Sequence, residues 1–181
     1  MNKAVFLDRD GTIIEDRGNL GDPSEVVFYP ESFEALRRLG EHFLLFIVTN
    51  QRGIADGLIS SVQADEVNAH VVARLAEAGV RITDVYVCPH KRSDGCACIK
   101  PNTYFLDEAA GRYNIDLGKS FSVGDHPHDV QFGINAGADG VYVMTGHGAK
   151  HFPELPPNTV VTDGITQAAD YILKSAGITS V

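Results

Sequence analysis

Two aspartates stand two residues apart, Asp8 and Asp10 in the stretch DRDGT, directly after a short apolar run, KAVFL. Carboxylates at that spacing can face one site where a chain leaves a sheet. Gly11 permits a tight turn there, and its backbone donors can hold the oxygens of an anion. One carboxylate could attack phosphorus while the other handles the proton of the leaving group. An acidic turn that caps the next segment is the plainer alternative. A second set, Cys88, His90, Cys96 and Cys98, gathers three thiols and an imidazole within eleven residues. Those are the donors tetrahedral zinc takes in closed, structural sites, although the spacing departs from the usual C-x2-C pairs. Unligated thiols, some buried and one redox-active, are the other reading. Lys100 follows the last cysteine by two residues; taken alone it would be a solvated surface lysine.

The elements that must carry these groups alternate along the chain. Strands are expected at 3–7, 43–48, 85–87, 121–123 and 141–144, with an edge strand at 159–161. Helices are expected at 30–39, from about 60 to 78, at 102–112, 129–136 and 165–174. The helical stretches show apolar residues at helical spacing, prolines or serines at their starts and glycines at their ends. Strands alternating with helices imply an α/β fold, a mainly parallel sheet covered on both faces. Ligands of such sheets bind at the carboxyl ends of the strands. The polar residues fall at those ends: Asp8 and Asp10 after the first strand, Thr49 and Asn50 after the second, Cys88 and His90 after the third, Asp125 after the fourth. The irregular segment 15–29, with two glycines and a proline, suits a flap over that rim.

Four stretches together resemble the haloacid dehalogenase superfamily of phosphatases: DRDGT, IVTNQRG, CIKP and VGDHPHD, spanning residues 5 to about 144. The resemblance implies a Rossmann-like domain and a Mg²⁺-dependent phosphatase. It makes Asp8 the nucleophile and a magnesium ligand. It makes Asp10 the general acid and base, lending its backbone carbonyl to the metal, and Asp125 the remaining ligand. Asp129 would steady that loop, and Thr49 and Lys100 would hold the phosphoryl group. The physics agrees, because attack of an anionic carboxylate on an anionic phosphoryl group needs its charge neutralised.

The Cys/His loop, C-x-H…C-x-C-x-K-P over 88–100, is similar to the capless branch that contains the D,D-heptose 1,7-bisphosphate 7-phosphatases and the bacterial histidinol-phosphate phosphatases. There a structural Zn²⁺ loop replaces a cap domain. The stretches GNLGDPSEVVFYPESFEALRRL and TNQRGIADG lie closer to the heptose enzymes. Substrate would then meet Gly11, Asn50, Gln51, Arg52, Ile99 and His126. The branch usually carries arginine where this chain has Ile99, so Arg52, or Arg17 in the flap, must take its place if the substrate bears a second phosphate. For His126 an exposed imidazole is the alternative.

The whole chain sets the remaining expectations. Its 181 residues fit one domain, residues 1–181, large enough for a core without disulfides. A net charge of −9 argues against a nucleic-acid partner and for a small phosphorylated metabolite, such as a sugar bisphosphate. Three crowded cysteines point away from a disulfide framework. The longest apolar run, Phe43–Val48, is far short of a membrane span. A cytoplasmic monomer is expected.

Overall fold

In a computed structural model the chain is described over residues 1–178, and six short strands form one sheet. They are β1 (Ala4–Leu7), β2 (Leu44–Asn50), β3 (Ile82–Cys88), β4 (Phe121–Gly124), β5 (Asp139–Val143) and β6 (Val160–Thr162). The order is β3-β2-β1-β4-β5-β6 and every pairing is parallel. The central strands read as near-continuous apolar runs because helices cover both faces, and all four residues of β1 are buried.

Side chains alternate across that sheet and build two cores. Val5 and Leu7 of β1, with Leu45 and Ile47 of β2, point to one side. There they meet α1 (Ser32–Gly40), α3 (Ser61–Glu77) and α7 (Ile165–Ser175) through Leu36, Leu39, Val71, Leu75, Ile172 and Leu173. Ala4, Phe6, Phe46 and Val48 point to the other side. These pack on Phe105 and Leu106 of α4 (Tyr104–Tyr113) and on Phe132 of α5 (Pro127–Asn135).

The expected elements all form, with shifted ends. Ser60 begins α3 through a capping box with Gln63, and Gly79 at φ +81° ends it. β3 runs three residues earlier than expected because Ile82–Asp84 pair with β2 across an irregular register despite their half-buried, mixed character. α5 starts two residues early, with His126 as its cap. Two four-residue helices, α2 (Arg52–Ala55) and α6 (Gly148–His151), are too short to show a helical period and were not expected.

The chain order places a switch point at β1. It leaves β1 toward β2 and β3 on one side, then crosses back to place β4 on the other. The crevice outside the carboxyl ends of β1 and β4 is where such a sheet takes its ligand. No domain is inserted among the described residues. The 15–29 segment is closed at its base by an antiparallel bridge between Ile14 and Phe28, and it is pinned to the body by the buried Leu20.

Candidate active site

The ends of β1, β2, β3 and β4 each deliver part of a single cavity of about 400 Å³. Asp8 continues β1, its N–H donating to the Val123 carbonyl at 2.9 Å. Gly11, at φ +82°, turns the chain immediately afterwards. A Cβ there would collide with the Asp125 carboxylate, and a Cβ at Gly124 would collide with Asp129. The two glycines therefore let three acids approach each other. Oxygens of Asp8, Asp125 and Asp129 lie within 4.8 Å of one another.

Lys100 is the counter-charge. Its Nζ donates to Asp8 Oδ1 at 2.7 Å, lies 2.6 Å from Asp129 Oδ1, and donates to the Val48 carbonyl at 2.8 Å. An ammonium has three hydrogens, and all three are taken, so the head group is fixed. Burial alone would lower the pKa of Lys100, but the facing charges of Asp129 and Asp8 outweigh it and raise it.

One lysine does not balance three carboxylates. Burial, then the charge of Asp8 and Asp129, pushes the Asp125 carboxyl up to about 8 even though it accepts the His147 N–H at 2.7 Å. Asp8 is pushed up to about 6, by burial first, with Lys100 pulling the other way. A buried pocket of carboxylate oxygen with excess negative charge fits a hard divalent cation, Mg²⁺ above all. Asp129 therefore stands in the acid cluster itself as well as capping α5, where it accepts the His126 N–H.

Asp10 is held differently. Its carboxylate accepts from Arg9 Nη2 at 2.7 and 3.0 Å and from Gln51 Nε2 at 2.8 Å. Burial raises its pKa, with Arg9 opposing. Gln51 Nε2 also donates to Thr49 Oγ1, so the side chains expected to hold phosphate and acid are joined.

The Cys/His set assembles as expected. Cys88 Sγ lies 3.3 Å from Cys98 Sγ and 3.7 Å from Cys96 Sγ, Cys96 and Cys98 are 3.6 Å apart, and His90 Nδ1 is 3.3 Å from Cys98 Sγ. Tetrahedral zinc with bonds of about 2.3 Å sets thiolates about 3.8 Å apart, so the cluster has the size and donors for that ion.

The expected substrate residues divide. Asn50, Arg52, Ile99 and His126 line the cavity. Gly11 and Gln51 do not: the first packs beneath Asp125 and the second bonds Asp10 and Thr49 from behind. Arg17 is a correction. It is exposed, pairs with Glu15 at 3.1 Å and stays out of the cavity, because the flap turns it to solvent while Asp16 faces in. His128, which flanks Pro127 with His126 and could touch substrate on the same reading, also lines the cavity, and Lys91, Arg92 and His147 do so without having been singled out. Arg92 reaches the Lys100 carbonyl at 3.4 Å from a short turn within the Cys/His loop. Nothing in the spacing of the sequence marks Lys91 or Arg92. The fully buried Arg9 was also missed, although an arginine on the opposite side of the strand end from two acids was a signal.

The D-glycero-beta-D-manno-heptose-1,7-bisphosphate 7-phosphatase of Pasteurella multocida is 36% identical, over 97% of this chain and 93% of that protein. The chain belongs to the haloacid dehalogenase superfamily, in the branch of the heptose-1,7-bisphosphate 7-phosphatases. It is an enzyme, a phosphatase. The 7-phosphatase of the same name from Bordetella bronchiseptica is 33% identical over 96% of this chain and 99% of that one. The crystal structure of D,D-heptose 1,7-bisphosphate phosphatase from B. bronchiseptica, complexed with magnesium and phosphate, superposes with a TM-score of 0.88 at 32% identity, covering 96% of this chain and 99% of that chain. The family described as "HAD-hyrolase-like" matches residues 97–171, from the end of the Cys/His loop through α5 and into α7. Among the described residues no helix is long and apolar enough to cross a membrane.

Proposed function

We propose that this phosphatase removes the 7-phosphate of D-glycero-D-manno-heptose 1,7-bisphosphate, in the synthesis of nucleotide-activated heptose, through a phospho-aspartate on Asp8. The catalytic part rests on one observation. Asp8 lines the cavity, held by Lys100 at 2.7 Å, and Asp10 lines the same cavity two residues on. Asp8 Oδ bonds to phosphorus as the P–O bond to the sugar breaks, and the bonding pair stays on the sugar oxygen. Asp10 supplies the proton that oxygen takes. Asp10 then removes a proton from water, whose oxygen bonds to phosphorus and releases the Asp8 carboxylate.

Asp8, Asp125 and the Asp10 carbonyl would hold Mg²⁺, with Asp129 close by. Bound there it would neutralise charge on the phosphoryl oxygens. Lys100 does the same from the protein side and orients the nucleophile. Thr49, near the end of β2, would hold the transferring group. Cys88, His90, Cys96 and Cys98 would bind a structural Zn²⁺. Four protein donors leave no open position, so its role is to fix the loop that carries Lys91, Arg92 and Lys100.

The substrate reading is supported by the names of the relatives and by the cavity wall. Arg52, Lys91 and Arg92 all line it, which supplies the cationic fork for a second phosphate that Ile99 cannot offer. Arg52 and Lys91 already share Asp56 as a partner, at 2.7 and 3.8 Å. A cationic amino-alcohol phosphate would want acids instead. Of the three flap acids such a substrate could use, Asp22 caps a 3-10 turn, Glu15 pairs with Arg17, and Asp16 alone lines the cavity, 3.2 Å from His147 Nδ1.

The test is Mg²⁺-dependent phosphate release from both heptose 1,7-bisphosphate anomers, histidinol phosphate, hexose bisphosphates and simple monoesters. A kcat/KM for a heptose bisphosphate well above the rest is expected. A preference for histidinol phosphate or for monoesters would overturn the substrate assignment.

A further inference from the structure

Arg9 is 0% exposed, yet it lies between two residues of the catalytic loop. Its Nη2 donates to both oxygens of Asp10, at 2.7 and 3.0 Å. Its Nη1 donates to Asn68 Oδ1 on α3 at 2.6 Å, a bond that ties the loop to a helix remote in sequence. The Arg9 carbonyl accepts from the Ile13 and Ile14 N–H groups, so the backbone of the turn is anchored at the same residue. Gln51 adds a donor to Asp10 Oδ2. The Asp10 carboxylate is thereby fixed from its buried side, with its remaining exposure toward the cavity.

Stability does not explain this arrangement. A buried ion pair contributes little net stability, and an apolar replacement of like shape is often neutral. Here the pair also leaves Arg9 Nε and Asn68 Nδ2 buried without a partner among the described residues, which costs more. What the arrangement does achieve is a single orientation of one carboxyl group, and misplacing a reacting group by about 1 Å can cost ~10²-fold in rate.

We propose that Arg9, anchored by Asn68, is a positioning residue that aims the Asp10 carboxyl at the leaving-group oxygen. The inference rests on the reading of Asp10 as general acid and base given above. Its chemical consequence is selective. As Asp8 Oδ bonds to phosphorus, the P–O bond breaks and its electron pair moves to the leaving oxygen, which then takes the Asp10 proton. An alkoxide needs that proton; a dinitrophenolate leaves without it. Arg9 therefore matters for alkyl phosphates and much less for an activated aryl phosphate.

The experiment measures kcat/KM with Mg²⁺ for an alkyl phosphate and for 2,4-dinitrophenyl phosphate, because this constant reports steps up to formation of the phosphoenzyme. Arg9→Met should lower the alkyl-to-aryl ratio by about 10²-fold, and Asn68→Leu by roughly 10-fold, in the pattern of lost general-acid catalysis. Asn68→Leu leaves the catalytic loop unaltered in sequence and carries the test alone if Arg9→Met does not fold. Asp10→Asn is the reference and should lower the ratio most. Equal loss on both esters in Asn68→Leu and Arg9→Met, with Asp10→Asn still selective, would overturn the role of Arg9 alone. An unselective Asp10→Asn, or a wild type that hydrolyses neither ester, would remove the proposed mechanism and this inference with it.

Discussion

Replacing Asp125 by asparagine should make the magnesium-free protein more stable at pH 8, although the proposed mechanism needs that carboxylate to hold Mg²⁺. Asp125 has its carboxyl raised from 3.8 to about 8, chiefly by burial and then by the charges of Asp8 and Asp129. Between those values the unfolded chain has lost the proton and the folded one keeps it. A carboxyl raised in this way makes stability fall as pH rises, from the unfolded value up through the folded one. The whole gap corresponds to at most about 6 kcal/mol. Water at the cavity mouth and an effective dielectric nearer 20 than 4 reduce this, and about 2 kcal/mol is a reasonable expectation.

For a chain of 181 residues that is a Tm change of about 4–8 °C. The assay is thermal unfolding followed by circular dichroism in Mg²⁺-free buffer. No chelator is added, so a Zn²⁺ held by the Cys/His cluster would stay in place. Wild-type Tm should fall between pH 5 and 8, and Mg²⁺ at pH 8 should restore it. Asp125→Asn should flatten the pH dependence, start from a higher Tm at pH 8 and respond little to Mg²⁺. Asparagine keeps an acceptor for the His147 N–H, so a lower Tm at pH 8 could not be blamed on that bond. Such a result would refute the idea that uncompensated carboxylate charge shapes this site.

Three further outcomes are expected. Asp8→Asn should cut turnover by roughly 10⁴-fold or more while the protein stays folded, and residual turnover near wild type would exclude the phospho-aspartate. Cys98→Ser should lower Tm by at least about 5 °C and reduce turnover by loosening the loop that ends at Lys100, with metal content read by elemental analysis; unchanged melting and turnover would exclude a structural ion. Arg92→Gln should raise KM for a heptose bisphosphate on the order of 10-fold and KM for a monophosphate far less. Equal changes would show that Arg92 does not meet a second phosphate.

The rim was legible in the sequence because Asp8, Thr49, Cys88 and Asp125 each stand at or just past the end of a short stretch readable as a strand, and the parallel order brings those ends together. Distance from a strand end marks where legibility stops. Arg17 and Asp16 are neighbours in the flap, and which of them faces the cavity depends on how Leu20 seats that segment, which no periodicity records. Lys91 and Arg92 lie in a loop without an apolar core of its own, where position follows from the Cys/His cluster rather than from local spacing. α2 and α6 are single turns, and β3 has an edge-strand mixture of polar and apolar residues. Ile99 shows why residue type alone misleads. Its side chain closes the second core beside Phe105 while its edge reaches the cavity, so an arginine at this position would lose packing before it gained a phosphate contact. A cation does stand seven residues earlier in the same loop, where Arg92 reaches the Lys100 carbonyl and lines the cavity. The charge at this rim depends on where the loop puts Lys91 and Arg92, which the residue at 99 alone does not report.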